Sequence, residues 1–249
     1  MRSPAASRWW EVPPRYAACT LDAYLPANAT QRRAREAIRD VIEGRAKNAV
    51  LEGPTGLGKT HLAAAAFNVQ AAAEMAYEEQ YRAYLAALAG AELVRARRSP
   101  RHPVWLNVPE LLIGLRLDMG RAGGDRVWSE RVELASDAEL LILDDLGRER
   151  MSDWTSELLY ALVNRRYERL ALRTVVTTNL PIDELTQGFY WPAISRLAED
   201  GPLVRLEGPD HRLPRPRGEP RETVRDLAEE QPLARPGVAA ASLSARAET

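Results

Sequence analysis

A glycine-rich segment that ends in lysine and threonine carries the first chemical signal. It reads AVLEGPTGLGKT, so a short apolar run leads into the pattern G-x-x-x-x-G-K-T. Gly53, Gly56 and Gly58 let the backbone turn its N–H groups inward, and the following helix presents its positive end to an anion. Lys59 is predicted to reach the β- and γ-phosphates of a nucleotide, and the Thr60 hydroxyl to ligate Mg²⁺. A chance glycine-rich turn is the alternative, but the flanking strand-like and helix-like residues favour a phosphate-binding loop.

Two adjacent acids follow a second apolar run. The run ELLIL immediately precedes Asp144 and Asp145. A continuous apolar run predicts a strand buried on both faces, and ligands of open α/β sheets bind at the carboxyl ends of such strands. Asp144 is predicted to hold Mg²⁺, directly or through water, and Asp145 to polarise the attacking water. A pair of acids can also cap a helix, but beside a phosphate-binding loop the order strand–Asp–Asp favours the first interpretation.

A polar amide ends a third β-branched run. The segment TVVTTN places Asn179 at the end of a predicted strand. There it is predicted to position the hydrolytic water beside Asp145. The alternative is that Asn179 caps the turn before Pro181.

Composition bounds the class of protein. The chain has 249 residues, 45% of them hydrophobic, with 34 Lys+Arg, 35 Asp+Glu and a net charge of −1. That length can bury a full core, and any nucleic-acid contact must come from local basic patches. The single Cys19 excludes an internal disulfide and a cysteine-based zinc site. There is no run of about 20 apolar residues and no apolar core of a signal peptide, so we expect a cytoplasmic protein without membrane contact.

Periodicity predicts an alternating α/β domain. The predicted strands are 49–51, 104–108, 139–145, 174–179 and 203–206. The first predicted helix is 31–43, with Thr30 as N-cap and Gly44 as C-cap. The second runs from 61 to about 96, and Gly90 would divide it into two helices. Further helices are predicted to begin at Pro109 and to span 154–170, 182–185 and the residues around 194–197. Residues 118–138 are predicted to be a loop with a short helix. The basic residues between 95 and 102 indicate either a solvated turn or a phosphate-contacting patch.

The two ends of the chain differ in composition from the middle. Residues 1–30 are predicted to form an extended arm, because Pro13 and Pro14 cannot continue a helix. Tyr16 in this arm would lie against an adenine ring or simply pack in the core. Residues 213–249 are rich in proline, alanine and arginine, and are predicted to be a disordered tail.

Five sequence blocks occur together in one order. They read GPTGLGKTHLA, LLILDDLGRERMSDW, LYALVNRRYE, VVTTNLPIDEL and ISRLAEDGPLVRLEG. From about Pro13 to Arg212 the chain resembles the AAA+ ATPases of the DnaC/IstB-like group, which are helicase loaders and transposition helper ATPases. The resemblance implies an α/β fold over residues 31–212: a P-loop NTPase whose central, mostly parallel sheet is flanked by helices.

The resemblance also implies roles for individual residues, with ATP and Mg²⁺ as cofactors. Asp144 and Asp145 match the Walker B acids, Asn179 matches sensor 1, and Arg196 matches the arginine finger that reaches a neighbouring subunit's γ-phosphate. The implied nucleotide contacts are Gly53, Pro54, Thr55, Gly56, Leu57, Gly58, Lys59, Thr60, His61 and the sensor-2 candidate Arg212. His211 replaces the tyrosine that precedes this arginine in the family.

The resemblance further implies partners. The family forms ATP-dependent rings or spirals, so we expect a homo-oligomer whose isolated subunit is a poor ATPase. A helical insertion before Walker B contacts single-stranded DNA in this group. Its basic candidates here are Arg116, Arg121, Arg126 and Arg131.

This chain differs from the DnaC/IstB-like group in two features, and these differences leave its biological role open. Residues 69–103 form a longer link than usual, which we interpret as an extended helical insertion and a possible partner surface. Loaders carry an amino-terminal domain that binds the helicase, whereas about thirty residues precede the first helix here. This difference either moves the helicase contact to the arm or tail, or favours a transposition-helper or stand-alone role. We expect a loader of a replicative helicase onto single-stranded DNA. The alternatives are an IstB-like transposase helper and an ATP-switched scaffold with little turnover; a metabolic P-loop kinase is disfavoured.

Overall fold

The computed structural model describes residues 12–87, 102–120, 127–147, 152–169, 171–187 and 190–212, without the side chains of 81–87. The predictions for the basic residues 95–101, for Gly90, Arg121 and Arg126, and for the tail lie outside these ranges.

A five-stranded parallel sheet forms the centre of the fold. Its strands are β1 (Asn48–Glu52), β2 (Val104–Asn107), β3 (Leu140–Leu146), β4 (Arg173–Thr178) and β5 (Leu203–Arg205). The strand order is β2-β3-β4-β1-β5, and every pairing between neighbours is parallel. The predicted α/β class with a central parallel sheet is therefore confirmed.

Helices cover both faces of this sheet. They are α1 (Ala29–Ile42), α2 (Lys59–Ala87), α3 (Val108–Gly120), α4 (Val127–Asp137), α5 (Asp153–Tyr167), α6 (Ile182–Leu185) and α7 (Trp191–Glu199). Alternate strand residues point to opposite faces, so Leu51 and Val175 pack with α1 and α2, whereas Val50 and Val176 pack with α3 to α7. Because all five strands are parallel, their carboxyl ends meet at one edge.

Two local predictions differ from the structure. The N-cap of α1 is Asn28, not Thr30, because the Asn28 side chain accepts the Gln31 N–H. Residues 127–137, predicted to be mostly loop, form α4; the Asp118 carboxylate accepts two N–H groups of its first turn and thereby caps it. Strand β3 includes both acids at its carboxyl end, as predicted, and continues one residue further to Leu146.

The segment that leads into α1 is anchored to α2. Pro14–Tyr16 forms a single 3₁₀ turn within the part predicted to be extended. The Asn68 amide donates to the carbonyl oxygens of Tyr16, Ala17 and Cys19, so this turn is held against the helix that follows the phosphate-binding loop. Across the ranges given above, the helices are all too short or too polar to cross a membrane.

Candidate nucleotide-binding site

A pocket of about 250 Å³ opens at the carboxyl edge of the sheet. It brings together the predicted phosphate-binding loop, both acids and the amide, although these residues are far apart in the chain. Its lining consists of Arg15, Tyr16, Thr55, Gly56, Gly58, Lys59, Thr60, His61, Asp144, Asp145, Asn179, His211 and Arg212. Of the residues predicted to act on the nucleotide, Gly53, Pro54 and Leu57 belong to the loop without lining the pocket, and Arg196 lies on α7, away from the lining.

The phosphate-binding loop requires glycine at two positions. Gly56 and Gly58 both have φ of +81°, which side chains disfavour. Space is also lacking: a Cβ on Gly56 would overlap the Asp210 carboxylate, and one on Gly58 would lie 2.5 Å from Tyr24 Cε2. The loop is thus packed between the segment that contains Tyr24 and the segment that contains Asp210, and the sequence analysis predicted neither contact.

The Lys59 ammonium joins the loop to the end of β4. Its Nζ donates to the carbonyl oxygens of Gly53 (2.6 Å) and Pro54 (2.7 Å) and to Asn179 Oδ1 (2.9 Å). The side chain is 6% exposed. Burial lowers the Lys59 pKa to about 8, and the negative charge of Asp145 opposes that shift. A phosphate group in this pocket would offset the burial penalty and compete for the same ammonium.

A β-bulge sets the positions of the two acids. Leu143 pairs with Val176 and Leu146 with Thr178, so Asp144 and Asp145 together oppose the single residue Thr177. Asp145 adopts φ of +59°, a conformation that aspartate tolerates better than most residues. Bulges of this kind re-aim side chains and are common next to active sites. Here the bulge brings both carboxylates to the same pocket.

The oxygen atoms beside the loop suit Mg²⁺. Thr60 Oγ1 lies 3.2 Å from Asp144 Oδ1, and Asp144 is 5% exposed. Burial raises the pKa of Asp144, and hydrogen bonds from Thr177 and Thr60 oppose that shift. The described ranges contain no group of three or more His, Cys, Asp or Glu residues that is placed to hold a metal ion by itself. Mg²⁺ bound together with nucleotide phosphates needs only one or two protein oxygens, so Thr60 and Asp144 fit it.

Thr177 is a site residue that sequence reasoning missed. Its hydroxyl donates to Asp144 Oδ1 (2.6 Å) and accepts the backbone N–H of Asp145 (3.0 Å). One side chain therefore fixes both members of the acid pair. Thr177 lies two residues before the strand-end amide Asn179, so its position near the site could be predicted from the sequence. Its contact with the two acids depends on the register between β3 and β4, which the sequence does not show.

Replacing Thr177 by valine is expected to lower ATP hydrolysis about tenfold or more, because the bulge loses both of its hydrogen bonds to the acids. Nucleotide affinity should change little, since the loop and Lys59 are untouched. Steady-state hydrolysis and titration of a fluorescent ATP analogue measure the two effects. Thr177→Ser keeps the hydroxyl and should retain most activity; equal loss in both variants would contradict this role for the hydroxyl.

The segment after β5 folds over the loop. The His211 N–H donates to the Gly56 carbonyl oxygen (3.1 Å), and the Arg212 N–H donates to Asp210 Oδ1 (2.8 Å). Arg212 thus lies at the pocket, as a sensor-2 residue would, although its role stays a prediction. Tyr16 lines the same pocket, and its proposed contact with adenine also stays a prediction.

The candidate DNA contacts divide into two groups. Arg116 is exposed, with its guanidinium 5.9 Å from the Trp154 ring. Arg131, by contrast, is 6% exposed and stacks 3.9 Å from the Trp128 ring, and burial lowers its pKa. The Arg131 side chain is thus largely covered by the α3–α4 packing, and its contact with DNA stays a prediction. Arg121 and Arg126 lie outside the described residues.

No family model and no curated protein matches the chain. Among solved structures, the DnaC helicase loader is 25% identical, with a TM-score of 0.57 over 78% of this chain and 100% of that chain. DnaI is 16% identical (TM-score 0.55; 80% of this chain, 93% of that one). The replication initiator DnaA bound to AMPPCP and single-stranded DNA is 19% identical (TM-score 0.54; 80% and 51%).

This chain has the AAA+ fold of the DnaC/IstB-like group. The assignment of the loop as Walker A, of the bulged pair as Walker B and of Asn179 as sensor 1 stays a prediction. The DnaI and DnaA similarities are below 25% identity and support the fold alone. The pocket accordingly lies in a fold that this chain shares with DNA replication proteins.

Proposed function

We propose that this AAA+ protein hydrolyses ATP and loads a replicative helicase onto single-stranded DNA. The observation that carries the proposal is the joint placement of Walker A, the bulged Walker B pair and Asn179 in one pocket, on a fold that matches the full length of the DnaC helicase loader structure.

Each side chain has a distinct task in this proposal. The loop N–H groups and Lys59 bind the phosphates, while Thr60 and Asp144 would hold the magnesium ion, which neutralises phosphate charge when bound. Asp145 and Asn179 orient the attacking water, and the Thr177 hydroxyl keeps Asp145 in place. Lys59 must loosen its bonds to the loop carbonyls to reach the γ-phosphate, so ATP binding exchanges intramolecular contacts for phosphate contacts.

Arg196 completes the site from a neighbouring subunit in this proposal. Because it lies outside the pocket of its own chain, it can stabilise transition-state charge only by acting on another copy. In this arrangement bound ATP stabilises the contact between subunits, and its hydrolysis supplies the energy for their work.

The helicase proposal is tested by ATP-dependent capture. The purified chain, immobilised with a non-hydrolysable ATP analogue, should retain the host's replicative helicase and should increase its entry onto a closed single-stranded circle. Lys59→Ala, which cannot bind phosphate normally, is the control and should do neither. Absence of an ATP-dependent complex would refute the loader role. Capture of a transposase instead would establish the helper alternative.

Arginines of the α3–α4 region are proposed to bind the single-stranded DNA backbone. Replacing Arg116, Arg121 and Arg126 by alanine should weaken binding of an oligonucleotide without base preference. It should also reduce the slope of log affinity against log salt by about 0.7 for each phosphate that an arginine no longer neutralises. Fluorescence anisotropy at several salt concentrations measures both effects. Arg45→Ala, which removes an exposed arginine after α1, is the matched control; an unchanged slope in the triple variant would place the DNA site elsewhere.

A further inference from the structure

Arg196 is held by residues of two packed helices. Its Nε donates to Asn164 Oδ1 (2.7 Å) and its Nη2 to the Tyr160 hydroxyl (2.8 Å). Its Nη1 donates to the Pro192 carbonyl oxygen (2.8 Å). The guanidinium also lies 4.6 Å from the centre of the Tyr160 ring. All three nitrogen atoms of the guanidinium are thereby fixed.

Helical spacing creates this arrangement. Tyr160 and Asn164 are one turn apart on α5, and Pro192 and Arg196 are one turn apart on α7, so the two pairs face each other. Beneath them the apolar residues of the same helices enter the common core, which fixes the distance between the helices. Arg196 is consequently half-buried and held in one conformation in the isolated chain.

The contacts leave Arg196 with N–H donors and a positive charge that can still bind a phosphate. A guanidinium has five N–H donors, and three are used here, so one N–H remains on each Nη. The three acceptors are an amide, a hydroxyl and a carbonyl, all of them neutral. The positive charge is therefore oriented without being neutralised, as a group that must meet a phosphate requires.

We propose that Asn164 and the Tyr160 hydroxyl are positioning residues that hold Arg196 ready for the nucleotide of a neighbouring copy of this chain. The inference rests on the proposed function, in which Arg196 acts on the adjacent subunit. Long arginine side chains lose rotamer freedom when they bind, and that loss slows catalysis if it must occur in the transition state. Because the contacts with α5 already hold Arg196 in one rotamer, little further rotamer freedom is lost when it meets the phosphate.

The first test separates positioning from folding. Asn164→Ala and Tyr160→Phe should each lower kcat about tenfold, with KM for ATP and the melting temperature unchanged. Asn164→Gln keeps a neutral amide oxygen that can accept from Nε and should restore part of the rate. Tyr167→Phe is the matched control, because the Tyr167 hydroxyl also joins α5 to α7, through Glu199, without bonding Arg196. An unchanged or raised kcat for Asn164→Ala would overturn the proposal; a raised kcat would show that the contacts withhold Arg196.

The second test asks which subunit needs Asn164. Lys59→Ala chains supply Arg196 but no working pocket, and Arg196→Ala chains supply a pocket but no finger, so their mixture should recover activity. Adding Asn164→Ala to the Lys59→Ala chain should lower the recovered rate about tenfold more than adding it to the Arg196→Ala chain. Equal losses in the two arrangements would refute positioning while leaving the proposed function intact. If the unmodified mixture recovers nothing, the action of Arg196 between subunits is itself refuted.

Discussion

Replacing Arg196 by alanine is expected to reduce ATP hydrolysis about 10³-fold while ATP binding persists. An arginine that stabilises transition-state charge from a neighbouring subunit contributes on the order of 10³–10⁵ in rate. Binding persists because Arg196 does not line the pocket of its own chain, where the loop and Lys59 contact the phosphates. Hydrolysis by the wild-type protein should rise more than proportionally with protein concentration, since each site needs a second copy, and the variant should lose this dependence.

Arg165 provides the matched control for this experiment. It is an exposed arginine on α5, next to the residue that holds Arg196, and pairs with Asp137 instead. Arg165→Ala should hydrolyse ATP at the wild-type rate. Arg196→Lys should recover little activity, because an ammonium lacks the planar fork of donors. Normal hydrolysis by Arg196→Ala would show that the arginine finger is another residue.

The largest stability effect is expected at Arg166. This side chain is 2% exposed, and burial lowers its pKa to about 9, so it remains charged at neutral pH. Its guanidinium donates to the carbonyl oxygens of Ala135, Ala138 and Arg173 and to the Thr174 hydroxyl. It thereby satisfies carbonyl groups at the carboxyl end of α4 and ties that helix to β4.

Arg166→Met should lower the free energy of unfolding by about 3 kcal/mol or more. Methionine fills much of the volume but removes the guanidinium donors to three carbonyl groups, and a buried carbonyl group left without a donor costs about 1–3 kcal/mol. Urea unfolding followed by circular dichroism measures the change. Arg165→Met, at the exposed neighbouring position, should shift stability by less than about 0.5 kcal/mol. A loss at Arg166 as small as that at Arg165 would mean that water replaces the guanidinium.

Sequence patterns did not predict local structure correctly where the same residues are compatible with more than one local conformation or contact. Asn28 and Thr30 both suit an N-cap, and only the folded chain decides between them: Asn28 reaches the Gln31 N–H while its own amide donates to the Glu207 carbonyl oxygen. The α4 helix is largely polar on the surface and is capped from α3 by Asp118, a contact that no periodicity reveals. Trp128 and Arg131 are neighbours at i, i+3 on α4, but the burial of Arg131 arises only when α4 packs against α3.

Local sequence was sufficient to predict the Walker A loop, the Walker B acids, the strand-end amide and the parallel sheet that gathers them. Phosphate binding needs consecutive backbone N–H groups, and a buried parallel strand needs a continuous apolar run, so both leave a signal in neighbouring residues. The bulge opposite Thr177, the burial of Arg131 and Arg166, and the contacts that hold Arg196 emerge only in the folded chain. Each depends on strand register or helix packing between residues distant in the chain, and such long-range contacts leave no periodic signal in the sequence.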